Sequence, residues 1–80
     1  MVEIELRVYA SLRRYRPEAP LDRGERILVP EGTTVNELIQ SLEIPLDEVH
    51  TVFVNRRARA PETPLQGGDR VDLFPAVAGG

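Results

Sequence analysis

Val2, Ile4, Leu6 and Val8 alternate with Glu3, Glu5, Arg7 and Tyr9. A period of two belongs to a strand with one face against a core and the other toward solvent. The alternation is lost from Ser11 to Arg26, where three arginines are followed by Pro17, Pro20 and Gly24. That composition predicts a polar connection, then a second strand at about Glu25–Val29 that closes a hairpin with a long loop. Pro30, Glu31 and Gly32 stop this strand. Thr34 and Glu37 have the spacing of a capping box, in which each side chain satisfies the other residue's free amide at a helix start. From Val35 the period becomes helical: Val35, Leu38, Ile39 and Leu42 form one apolar stripe, while Asn36, Glu37, Gln40 and Ser41 face away. Pro45 cannot continue a helix and forces Ile44 toward extended geometry, so the helix should end by about Glu43.

Thr51–Asn55 reads as a third strand with Val52 and Val54 inward and Phe53 outward. A turn at Asn55–Arg57 starts the return. Pro61 and Pro64 limit the next strand to a short edge piece, because proline donates nothing to a ladder. Gly67, Gly68 and Asp69 turn the chain into a last strand, Arg70–Phe74, with Val71 and Leu73 inward, and Pro75 ends it. The order strand, strand, helix, strand, short strand, strand predicts an α+β layout: a mixed sheet with one main helix packed across one face. The first and last strands, both rich in inward Val, Ile and Leu, should pair near the sheet centre.

The same phase places Arg7, Tyr9, Phe53, Arg70, Asp72 and Phe74 on the face away from the helix, so two phenylalanines are expected to share an exposed surface. Aromatic and arginine side chains concentrate binding energy at interfaces, which makes this face the candidate for partner docking. The arginine clusters at 13, 14 and 16 and at 56, 57 and 59 read as solvated loop charge, and Asp47 with Glu48 as solvated turn charge. His50, the one histidine, has no ligand set near it in sequence. Gly67 and Gly68 are turn glycines and not a phosphate cradle, since no helix start follows them.

Eighty residues make one domain, which buries only about 60 to 65 percent of the surface its unfolded chain exposes. That is a small core, and it favours a binding or carrier role over an autonomous enzyme. With no cysteine there is no disulfide, no thiolate metal site and no side-chain persulfide. All ten basic residues are arginine, and the net charge is −3, which argues against nucleic acid as a partner. MVEIELRVY has neither the apolar run of a signal peptide nor that of a membrane span, so no membrane association and a cytoplasmic location are expected.

After Pro75 the chain reads Ala76, Val77, Ala78, Gly79, Gly80. The segments EGTTVNEL, TVFVN and PLQGGDRVDLFP and the ending PAVAGG, taken in order over essentially the whole chain, resemble the MoaD/ThiS sulfur-carrier family. The length and the FPAVAGG ending resemble its MoaD branch more than ThiS. The resemblance implies the β-grasp fold of ubiquitin over residues 1–75 and a flexible tail over 76–80. It also implies a carrier that is not itself an enzyme. On that resemblance an adenylating enzyme of the ubiquitin-activating type would join AMP to the carboxylate of Gly80, and a sulfur donor would convert it to a thiocarboxylate. Sulfur would then pass to an acceptor, such as the synthase subunit that makes molybdopterin or tungstopterin. Such a carrier binds no cofactor itself; ATP and magnesium are used by the partner enzyme. Gly79 would let the tail thread a narrow channel, since glycine lacks a Cβ. Five residues reach about 17 Å from the sheet. Phe74, Phe53, Arg7, Tyr9, Pro75 and Val77 would meet the partner. Alternative roles within the same likeness are a protein modifier forming isopeptide bonds through Gly80 and a sulfur carrier of the thiamine pathway.

Overall fold

The computed structural model describes residues 1–20 and 22–76. Its elements follow the order β1 (Val2–Val8), β2 (Glu25–Val29), α1 (Val35–Ser41), β3 (Thr51–Val54), β4 (Arg57–Ala58) and β5 (Arg70–Phe74), with 3-10 turns at Ala10–Tyr15 and Leu46–Glu48. The strands form one mixed sheet in the order β2-β1-β5-β3-β4. The first and last strands are neighbours at its centre and run parallel, Leu6 beside Val71 and Val8 beside Leu73. The other pairings are antiparallel. A parallel pair needs a crossover, and the connection through α1 supplies it. This is the β-grasp layout.

Helix α1 has only seven residues. A helix so short is not stable alone and depends on its caps and its buried face. At its start the Glu37 amide donates to Thr34 Oγ1 at 3.2 Å, and the Thr34 amide donates to Glu37 Oε1 at 2.9 Å, which completes the expected capping box. Val35, Leu38 and Ile39 are buried, and Leu42 is partly so. The helix stops two residues before Glu43 for a local reason. Glu43 lies in the left-handed region at φ +59, its amide donates to Gln40 O, and the Ile44 amide donates to Ile39 O. These are the two bonds of a Schellman cap, and Ile44 beyond it is buried in the core.

The stripe packs on Ile4, Leu6, Val8, Val29, Val54, Leu65, Val71 and Leu73 in one cluster. The hairpin β3–β4 turns on Asn55 and Arg56, both with positive φ (53 and 69), with Val54 opposite Arg57. That is a two-residue turn of the type whose twist suits antiparallel strands. Gly68, with φ +87, occupies the turn before β5, and its amide donates to Glu3 O at 2.8 Å.

Three expectations about polar segments are corrected. The connection after β1 is not wholly polar: Ala10–Tyr15 winds into a 3-10 helix that drops Leu12, fully buried, into the core. Its arginines are not all free loop charge. Arg14 pairs with Glu48, to which the Tyr15 hydroxyl also donates at 2.7 Å, and Arg16 forks onto Glu25 at the start of β2. Glu48 therefore ties two loops together instead of being solvated turn charge. Arg56, Arg57 and Arg59 are exposed as expected.

Candidate functional site

With α1 and Leu12 on one face of the sheet, strand alternation sends Arg7 and Tyr9 of the β1 end, Phe53 of β3, and Arg70, Asp72 and Phe74 of β5 to the other. Register then decides which of them meet. Asp72 lies between Arg7 on β1 and Phe53 on β3, and Phe74 lies beside Thr51 one row further along. Tyr9 continues β1 by one residue, its amide donating to Leu73 O at 3.2 Å, which sets its ring against Phe74. The two rings stack at 4.4 Å between centroids and 6° between planes, and Phe53 meets Phe74 edge-on at 5.5 Å and 73°. Both are favoured arrangements of aromatic quadrupoles. The phenylalanines are thus not a freely exposed pair: each is half-buried, in a cluster with Tyr9 as the third member.

Asp72 departs furthest from expectation. Its strand phase is outward, yet it is only 3% exposed. A carboxylate hidden from water is costly unless its oxygens are paired. Here the Tyr9 hydroxyl donates to Oδ1 at 3.2 Å, and Arg70 Nε donates to Oδ1 at 3.3 Å and Oδ2 at 3.1 Å. The Asp72 hydrogen bond is the main cause that holds the Arg70 guanidinium above its ordinary pKa, against the opposing effect of burial. Arg7, also proposed for the face, turns along its own strand to Glu5, with Nε 2.8 Å from Oε2. Pro75 is half-buried and Ala76 exposed. The amide of His50, itself exposed, donates to Phe74 O at 2.8 Å, closing the β3 side of the strand end.

The structure therefore brings Tyr9, Phe53 and Phe74 together, adds Arg70 and Asp72 beneath them, and leaves Arg7 to one side. Val77, Gly79 and Gly80 lie outside the described residues. Sequence reasoning passed over Asp72 as a site member, although its i, i+2 spacing from Arg70 places the two on one face. Among the described residues no group of three or more His, Asp or Glu is placed to hold a metal, and no helix is long and apolar enough to cross a membrane.

Comparison with known proteins returns one family model, the ThiS family, over residues 6–80. No curated protein sequence matches. Among solved structures, the Haloferax volcanii protein HVO 2177 is similar at 30% identity and a TM-score of 0.76, over 99% of this chain and 87% of that one. Small archaeal modifier protein 1 of H. volcanii is similar at 23% identity and a TM-score of 0.74, over 96% of this chain and 100% of that one. A complex of subunits 1 and 2 of molybdopterin-converting factor from Helicobacter pylori contains a chain similar at 21% identity and a TM-score of 0.61, over 99% and 100% of the two chains. At these last two identities the likeness is one of fold.

Proposed function

The chain belongs to the ThiS family, among the ubiquitin-like sulfur carriers and small modifiers, and from that premise we propose that it is a sulfur carrier whose reacting group is the α-carboxylate of Gly80. The observation that carries this reading is the reach of the family match, which runs from β1 through the last glycine. A free α-carboxylate has a pKa of about 3.5 and is an anion at neutral pH, with no good leaving group. Adenylation by a partner enzyme supplies one. A carboxylate oxygen attacks the α-phosphorus of ATP and pyrophosphate leaves. Hydrosulfide, or a persulfide whose S–S bond a thiol then reduces, displaces AMP at the carbonyl to give the thiocarboxylate. Its sulfur attacks an electrophilic carbon of the acceptor, and water cleaves the acyl–sulfur bond to return the carboxylate.

The chain's own contribution is a stable body and a surface for docking. Strand β5 ends at Phe74 within the aromatic cluster and Pro75 follows directly, so a partner that grips this face holds the chain six residues before Gly80. ATP, magnesium and catalytic side chains come from that partner, and the carrier works in the cytoplasm where ATP is available. The likeness to a chain of the H. pylori complex supports a second, sulfur-accepting subunit as a further partner, with molybdopterin as the product. A second reading, conjugation of Gly80 to protein amines, is supported by the likeness to small archaeal modifier protein 1.

Incubation with ATP, magnesium, the adenylating enzyme of the same organism and either sulfide or a persulfide donor with a thiol reductant, followed by intact mass measurement, tests the carrier reading. The expected product has one oxygen replaced by sulfur, and deletion of Gly80 abolishes it while leaving the melting temperature unchanged. Recovery of Gly80 in amide linkage to other proteins, with no thiocarboxylate formed, would replace the carrier by the modifier.

A further inference from the structure

A buried carboxylate paired to a half-buried arginine is poor evidence of a need for stability, since apolar side chains of similar volume often serve a fold as well or better. Asp72 and Arg70 are also outside the core that α1 covers. Their position calls for a different explanation, and the geometry supplies one. Asp72 Oδ1 receives the Tyr9 hydroxyl, and the Tyr9 ring is the one that stacks on Phe74. Tyr9 is thus fixed at both ends, its amide to Leu73 O and its hydroxyl to a carboxylate that Arg70 holds in place. Phe74 in turn is bounded by the Tyr9 face, the Phe53 edge and the His50 amide at its carbonyl. The chain of contacts runs from a buried charge to the last residue of β5.

We propose that Asp72 is a positioning residue: through the Tyr9 hydroxyl it locks the Tyr9 ring against Phe74, so that the docking face meets the adenylating enzyme already ordered. This rests on the carrier reading above. Without the hydroxyl bond Tyr9 regains rotamer freedom, and the partner must order it, together with Phe74, on binding. Ordering one or two side chains weakens association by about 3- to 10-fold. The effect belongs to encounter and grip, not to chemistry at Gly80, so it falls on KM for the carrier and not on kcat.

The experiment measures steady-state adenylation, as carrier-dependent ATP–pyrophosphate exchange, with Asp72→Ala, Tyr9→Phe and the double variant. Asp72→Ala removes the acceptor and Tyr9→Phe removes the donor while keeping the ring, and far-UV circular dichroism with a thermal melt establishes that each is folded at the assay temperature. KM should rise about 3- to 10-fold in each single variant, and the double variant should be no worse than the weaker single one, because both break the same link. Near-UV circular dichroism of the Asp72 variant, which keeps Tyr9, should lose the tyrosine signal of the fixed ring. An unchanged KM, or additive effects in the double variant, would overturn the proposal even where the melting temperature falls. If the wild-type chain supports no exchange, the carrier reading itself fails and this inference with it, an outcome that the wild-type control alone identifies.

Discussion

Replacing Phe74 by alanine tests packing and docking at once, and the structure sets a magnitude for each. Truncating a fully buried phenylalanine costs about 3 to 5 kcal/mol. Phe74 is half-buried, so its packing is worth roughly half of that, and its stacked and edge-on partners add about 0.5 to 1.5 kcal/mol each beyond area alone. A loss of about 2.5 to 5.5 kcal/mol follows. An 80-residue domain has roughly 4 to 12 kcal/mol in total. The midpoint of thermal unfolding should therefore fall by about 10 to 40 °C, with the variant folded at low temperature wherever the parent's stability exceeds that loss. At 10 °C, where the variant is native, titration calorimetry against the adenylating enzyme should show a loss of about 2 kcal/mol or more, some 30-fold in Kd, if Phe74 is an anchor. An unchanged midpoint would mean that the three rings do not pack as described. A lowered midpoint with unchanged Kd would make the cluster a structural device and remove it from the docking face.

Leu38→Ala, at a fully buried position on α1, should cost about 2 to 5 kcal/mol in a urea melt, and a parent-like midpoint would show that the helix does not pack on the sheet as described. Glu43→Gly and Arg56→Gly should each raise stability by about 1 kcal/mol, because both side chains sit at positive φ that only glycine adopts without strain; a fall in stability at either position would contradict its backbone geometry.

The legible parts of this fold were those whose signal lies in neighbouring residues. Alternation from Val2 to Val8 and from Arg70 to Phe74 gave both central strands, and Thr34 with Glu37 gave the helix start. Leu12 was illegible because one apolar residue among arginines has no period, and its burial follows from where the 3-10 turn lands on the sheet. Glu48 was illegible for a related reason: its partners are 33 and 34 residues away, and a charge pair across two loops leaves no trace in the local pattern. Of the candidate site, Tyr9, Phe53 and Phe74 were named from strand phase, but phase gives only the face. That they touch depends on the register of three strands, β5 lying between β1 and β3.

Asp72 shows what phase leaves out on an open sheet face. A residue pointing away from the core is hidden only if its neighbours are long enough to lie over it, and here an arginine two residues before it and a tyrosine from the adjacent strand do so. The consequence is a division of labour between the two faces. Under α1, apolar burial holds the body together and tolerates exchange among side chains of similar volume. On the other face, the buried charge holds a few aromatic rings in one arrangement, where directed hydrogen bonds fix orientation in a way that apolar contact does not. A carrier that must offer the same surface to successive partners while its reacting group changes from carboxylate to adenylate to thiocarboxylate gains from such an arrangement. On the proposed carrier reading, the chemistry alters only the far end of the chain, and the docking surface is fixed independently of it.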